Sequence, residues 1–230
     1  VYKRQLSRHS ERHSLSRLMD GGGQGAAEGG VRAVMICTML DQRIQQHFID
    51  SADLQYQLSE TLAKSVDAGV QALLASVTGG GKVLVAGGGT SVTLAQYLTG
   101  LLIGGFERER PGLAAVTLGA DAGWVPAWTE EGGLSRQVHA LGQAGDVLVL
   151  ISAHGNETAL VQALRAAHDR EMTVLALTGG NGGEQARLLR ETDVHVCVPH
   201  ERTARVREVQ QLVLHCLCDG IDTQLLGEQE

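Results

Sequence analysis

Two loops of this sequence carry side chains that could bind an anion. The first reads Ala86-Gly-Gly-Gly-Thr-Ser-Val92, and the second reads Ile151-Ser-Ala-His-Gly-Asn-Glu-Thr158. Each follows a short apolar run and opens a helical pattern, so backbone N–H groups and the helix dipole point at the loop. The candidate ligand-binding residues of these loops are Thr90, Ser91, Ser152 and Asn156.

Each loop also has a feature that argues against such a site. Val92 stands where a dinucleotide-binding G-x-G-x-x-G loop would need its last glycine, and a tight turn with a Ser or Thr N-cap is the alternative there. Glu157 would gain about 0.3–1 kcal/mol at a helix N-terminus, but it would repel an anionic ligand. Either it fills the anion site from within, or it is an exposed first-turn acid.

The elements that must position these loops alternate along the chain. Helical spacing of apolar residues over about 39–78 predicts amphipathic helices that either cover their own domain or pair with another subunit. Five β-branched runs, at 82–86, 114–118, 146–151, 173–177 and 193–198, are separated by helical windows at 91–103, 130–141, 157–170 and 183–190, and a last helix covers about 202–226. This alternation predicts an α/β fold with a five-stranded parallel sheet and helices on both faces.

Composition restricts the function classes. The net charge is −7, and because residues 1–38 hold six Lys or Arg against three Asp or Glu, the remaining chain carries −10. An acidic body argues against direct nucleic-acid binding. The four cysteines show no disulfide or zinc spacing, no segment is apolar enough to span a membrane, and we expect a cytoplasmic protein without cofactor or metal.

Residues 1–38 begin without methionine and are rich first in Ser, Arg and His and then in Gly. They predict a disordered or non-native extension, with a basic binding arm as the alternative. Met39 is a plausible native start, so we expect a single domain over 39–230 that includes the oligomerisation helices.

Several longer segments resemble the sugar isomerase (SIS) domain family. They are GGGTSVTLAQYL from Gly87, FERERPGLAAVTL from Phe106, SRQVHALGQAGDVLVLIS from Ser135, MTVLALTGGNGGEQARLLR from Met172 and RTARVREVQQLVLHCLCDGID from Arg202. The similar branch holds the phosphoheptose isomerases and the DnaA initiator-associating proteins. The resemblance implies a flavodoxin-like αβα sandwich in three layers, assembled as a homotetramer.

The resemblance implies two different functions. The isomerases use a glutamate and a histidine as acid and base, and the matching positions here are Leu101 and His215, with Arg207 replacing a glutamine beside a retained, ligand-binding Glu208. Phosphosugar-binding members carry hydroxyls where this chain has Ala153, His154 and Glu157.

We therefore expect a non-catalytic scaffold that binds several copies of DnaA at the chromosomal origin, with Leu225 and Leu226 in the contact. One alternative is a phosphoheptose isomerase acting on sedoheptulose 7-phosphate, with His215 catalytic, or a protein that binds a sugar phosphate. An inactive structural homologue is the third possibility.

Overall fold

The computed structural model of the protein describes residues 25–120 and 132–227, with side chains described from residue 39 onward. The chain divides into two compact units, residues 1–52 and 53–230. Helix α1 covers Gly25–Thr78 and therefore runs through Met39, where we place the start of the domain. That boundary stays a prediction, and residues 1–24 lie outside the described part.

The second unit contains a parallel sheet of five strands. These are β1 Val83–Gly87, β2 Ala115–Thr117, β3 Val147–Ile151, β4 Thr173–Gly179 and β5 Val194–Val198. Their order is β2-β1-β3-β4-β5, and every pair is parallel. The strands are short, nearly continuous apolar runs because both faces of a parallel sheet are buried. The predicted sheet is confirmed at all five positions.

Helices cover both faces of this sheet. They are α2 Val92–Gly104, α3 Gly133–Leu141, α4 Thr158–Asp169, α5 Gly183–Leu188 and α6 Thr203–Leu226. Alternate strand residues enter two separate cores: Val83 and Val85 pack with α1, α2 and α6, whereas Leu84 and Ala86 pack with α3 and α4. The period-2 alternation of side chains thus produces the expected three layers. The start of the predicted window at 130 lies outside the described residues.

The two parts of α1 differ in burial. Leu58, Leu62, Val70 and Leu73 are buried in the core, so this part of the predicted stripe covers its own domain. In the first unit, by contrast, Ile44 and Phe48 are 47% and 75% exposed.

Helical spacing over the last helix predicts an apolar stripe of Val206, Val209, Val213, Cys216, Leu217, Gly220 and Ile221, with Asp222 on the opposite, polar face. The structure differs from this prediction at two positions. Val206, Val209 and Val213 are buried, but Cys216, which helical spacing assigns to the stripe, is exposed. Asp222, which spacing assigns to the polar face, is 1% exposed because an arginine from another element pairs with it. Within the described residues, no helix is both long and apolar enough to cross a membrane.

Candidate functional site

The first loop leaves β1 at its carboxyl end and passes through a 3-10 turn, Gly89–Ser91, into α2. Ser91 is fully buried and is the N-cap of α2, yet its side chain makes no capping bond and the first turn of α2 has no acid. Thr90 is exposed on the same turn, and its carbonyl oxygen accepts a 2.9 Å bond from the Thr93 hydroxyl. The N-terminal N–H groups of α2 are therefore not capped by either side chain.

The second loop is satisfied internally. The fully buried Ser152 hydroxyl donates to Oε2 of Glu157 at 2.5 Å and accepts the N–H groups of His154 and Gly155 at 3.1 and 2.6 Å. A hydroxyl has one donor and two acceptor positions, so all three are in use. Asn156, the other candidate in this loop, points its Oδ1 to the N–H of Glu184 at the start of α5, at 2.9 Å.

Glu157 joins the two loops. It is the N-cap of α4 but makes no side-chain capping bond, because its carboxylate turns toward Ser152. The same carboxylate lies over the first loop, where a Cβ added to Gly88 would be 2.8 Å from its Cδ and Oε1. The geometry favours the interpretation that Glu157 fills the anion site from within. Its carboxylate occupies space between the loops and accepts the Ser152 hydrogen bond that a bound oxyanion would use.

The start of α6 reaches both loops. Gln210, which is 1% exposed, donates to the Ser152 carbonyl oxygen at 2.7 Å, and Nε of Arg207 lies 3.4 Å from the Ser91 hydroxyl. Glu208, a predicted ligand-binding residue, forms an ion pair with Arg205 of the same helix, with nitrogen and oxygen 2.6 Å apart. Arg207 therefore brings positive charge to the first loop, while Glu208 is held by its own helix.

Two turns further along α6, His215 meets two aromatic side chains. Its Nε2 is 2.8 Å from the Tyr97 hydroxyl on α2, and the rings of these two residues meet edge to face at 5.7 Å and 66°. Phe106, in the loop after α2, stacks on the imidazole with centroids 5.4 Å apart and planes 28° apart. Leu101, the position of the isomerase glutamate, is partly buried against the core. His215 is thus held in one orientation by groups from another element.

A buried ion pair fixes α6 against the loop that carries Phe106. Arg110 and Asp222 are paired, and each side chain is 1% exposed. The Arg110 guanidinium also donates to the carbonyl oxygens of Leu102 and Leu101 at the end of α2, at 2.8 and 3.2 Å. The neighbouring Cys218 is affected by the same burial. Burial is the main cause that raises the pKa of its thiol to about 12, and the Asp222 carboxylate adds to it, so Cys218 stays a neutral thiol.

The predicted partner-contact residues lie at the end of α6. Leu225 and Leu226 are 38% and 42% exposed, so neither is buried within its own subunit. Among the described residues, no group of three or more His, Cys, Asp or Glu side chains is arranged to hold a metal ion.

Comparison with known proteins identifies the family. The SIS domain model matches residues 46–179, more than half of the chain. The chain belongs to the SIS domain family, in its phosphoheptose isomerase branch. This SIS domain is 53% identical to the phosphoheptose isomerase of Methylibium petroleiphilum over 84% of the chain and 98% of that protein. It is 46% identical to the phosphoheptose isomerase of Azoarcus sp. over 83% of the chain and 99% of that protein.

Solved structures agree with this assignment of the SIS domain. The phosphoheptose isomerase of Neisseria gonorrhoeae superposes with a TM-score of 0.74 at 37% identity, covering 80% of this chain and 99% of that one. The phosphoheptose isomerase of Francisella tularensis gives 0.75 at 34% identity, covering 79% and 97%.

The expected function as a non-catalytic DnaA scaffold is wrong. Relatives at 41–53% identity along almost their whole length are named phosphoheptose isomerases. That expectation relied on the resemblance of residues 106–111 and 216–222 to the initiator-associating proteins. These segments have structural roles in this SIS domain: Arg110 holds Asp222, and Phe106 stacks on His215. Such roles do not depend on an initiator partner.

Three residues of this region were not predicted from the sequence of the SIS domain. Tyr97, Phe106 and Arg110 meet α6 only because α2 packs beside it. The available signal was the spacing of Tyr97 and Leu101, which are four residues apart and so lie on one face of α2.

Proposed function

We propose that this protein is a phosphoheptose isomerase, which interconverts the aldose and ketose forms of a phosphorylated seven-carbon sugar. One observation carries the proposal: the 53% identity to a phosphoheptose isomerase over 98% of that relative's length. Aldose–ketose isomerisation needs a base that moves a proton between adjacent carbons and an acid that serves the oxygens. His215 is the retained candidate for the base.

The spacing of two polar clusters supports a substrate of this size. Arg207 and His215 are eight residues apart on α6, which is about 12 Å at a helical rise of about 1.5 Å per residue. Ser91 and Tyr97 are six residues apart along α2, or about 9 Å by the same rise. We propose that the phosphate lies at the Ser91–Arg207 end and the reacting carbons at the Tyr97–His215 end. An extended phosphorylated seven-carbon chain has a comparable length.

Charge supports this orientation. The N-terminus of α2 carries a partial positive charge, its first turn has no acid, and the Arg207 guanidinium adds a cation beside Ser91. A cation at a helix N-terminus is unfavourable by itself, and a phosphate between the two would neutralise both. The second loop is less suited to the phosphate because the Glu157 carboxylate already accepts the hydrogen bond of the Ser152 hydroxyl.

A second candidate function is sugar-phosphate binding without turnover. It is favoured by Leu101, which cannot transfer a proton, and by Glu157, which competes with an anion between the loops. This candidate uses the same residues for binding and requires no acid–base pair.

Turnover of sedoheptulose 7-phosphate by the full chain, followed by NMR, separates these functions. We expect conversion to the aldose, lost on His215→Ala and retained on His139→Ala, which changes a histidine that is exposed on α3. Saturable binding without conversion would favour the second candidate. Neither binding nor conversion would contradict both.

We also propose that the protein self-associates as a homotetramer. The exposed apolar residues of α1 before residue 53 include Met39, Leu40, Ile44, Phe48 and Ile49. In the second unit, an apolar groove of about 350 Å³ lies between α1 and α6, lined by residues such as Leu58, Leu62, Val66, Leu212 and Cys216. Exposed apolar surfaces of this kind favour burial against another copy.

A further inference from the structure

The acid–base pair of this chain is incomplete if only the family positions are considered. The glutamate position holds Leu101, whose partly buried side chain packs on the core and cannot exchange a proton. Tyr97 precedes it by four residues on α2, so the two side chains lie on one face of that helix, one turn apart. A phenol therefore stands one turn from the place where a carboxylate is absent.

The Tyr97 hydroxyl is already paired with the candidate base. Its oxygen lies 2.8 Å from Nε2 of His215, within the range for proton transfer between catalytic groups. Tyr97 is 38% exposed, so a ligand can reach this pair, while Phe106 stacks on the imidazole and limits its rotation. Tyr56 on α1, by comparison, is an ordinary surface tyrosine that is 83% exposed.

We propose that Tyr97 is a catalytic residue of the isomerisation, acting as the acid and base for the oxygens while His215 acts on the carbons. This inference rests on the proposed isomerase function. It assigns to the phenol the proton transfers that Leu101 cannot make.

The proton transfers balance without any further reactant. When the substrate enters, the Tyr97–His215 hydrogen bond opens, which frees the lone pair of Nε2 and the phenol proton. Nε2 of His215 then takes the proton from the carbon beside the carbonyl group, and the Tyr97 hydroxyl gives its proton to the carbonyl oxygen. These two steps leave an enediol, an imidazolium and a phenolate. The imidazolium then returns its proton to the neighbouring carbon, and the phenolate takes the hydroxyl proton from the other oxygen. The imidazolium and the phenolate are adjacent, so their opposite charges stabilise each other until the second pair of transfers.

Tyr97→Phe in the full chain tests this role, because it keeps the ring and removes only the hydroxyl. We expect kcat for sedoheptulose 7-phosphate to fall by about 10²- to 10⁴-fold, the usual contribution of a general acid or base. KM should change less than threefold and the thermal unfolding midpoint should stay unchanged. Tyr56→Phe is the matched control and should keep the parent's kcat.

A pH profile distinguishes catalysis from positioning. Replacing Tyr97 with 3-fluorotyrosine, whose phenol is more acidic, should move the alkaline limb of the kcat profile to lower pH. A structural role would leave that limb in place.

An active parent whose Tyr97→Phe variant keeps kcat within twofold would overturn the inference and leave the proposed function intact. A parent without turnover would instead overturn the isomerase function, and the role of Tyr97 with it.

Discussion

At the scale of single residues, the position of one proton decides whether the second loop can bind an anion. The Ser152 hydroxyl donates its only hydrogen bond to Glu157, and its two acceptor positions are filled by loop N–H groups. A phosphate oxygen at this loop would have to displace the Glu157 carboxylate and tolerate its charge. The loop that looks like an anion site in sequence is therefore occupied by the chain itself.

Neutralising Glu157 should strengthen the binding of anionic ligands. Glu157→Gln keeps an oxygen that can accept the Ser152 proton but removes the negative charge, which costs a nearby anion on the order of 1–2 kcal/mol. We expect about tenfold tighter binding of sedoheptulose 7-phosphate by isothermal titration calorimetry. Glu191→Gln, at an exposed acid outside the loops, is the control and should bind like the parent. Equal affinity of the parent and both variants would show that Glu157 does not affect the ligand.

At the scale of secondary-structure elements, the Arg110–Asp222 pair connects α2, its following loop and α6. A lysine could not replace Arg110, because one planar guanidinium binds Asp222 and two carbonyl oxygens at the end of α2. The loop between these contacts carries Phe106, which stacks on His215. The pair thus holds together the elements that orient the candidate base.

Removing one charge of the Arg110–Asp222 pair should lower the free energy of unfolding more than removing both charges. Asp222→Ala leaves a buried guanidinium without its counter-ion, which typically lowers the free energy of unfolding by about 3–5 kcal/mol. The double change Arg110→Met/Asp222→Leu removes both charges and should cost less than Asp222→Ala alone. Urea unfolding measures both. Arg187→Ala, which removes a 77% exposed partner of Glu184, should change stability by less than about 1 kcal/mol. A double variant less stable than Asp222→Ala would contradict the argument.

The elements were predictable from the sequence to different degrees. The strands could be predicted, because runs such as Val147–Ile151 are apolar throughout, as burial on both faces requires. Asp222 was not, because helical spacing assigns it to a polar face and cannot show that Arg110 reaches it from a loop 112 residues away. The same applies to Tyr97 and His215, whose contact depends on how α2 and α6 pack. Local periodicity determines which residues are buried by default, but partners from distant elements decide the exceptions.

At the scale of the whole molecule, α1 carries exposed apolar residues before residue 53, which the proposed tetramer would bury. Phe48 is 75% exposed and Ile44 is 47% exposed, and they are four residues apart on one face of the helix. Single exposed apolar residues are common in monomers, but a continuous stripe of them usually marks an interface. The buried Leu58 and Leu62 further along α1 show that its apolar pattern is used where a surface is available to cover it.

Adding a charge to this stripe should therefore dissociate the proposed tetramer. Phe48→Glu would place a carboxylate in a buried interface, at a cost of several kcal/mol unless it is paired, and we expect smaller species by size-exclusion chromatography with light scattering. Gln45→Glu, which adds the same charge at another exposed position of the helix, should leave the assembly size unchanged. A monomeric parent would refute the tetramer. A parent tetramer that persists in Phe48→Glu would instead move the interface away from this stripe, toward the apolar groove lined by Leu212 and Cys216.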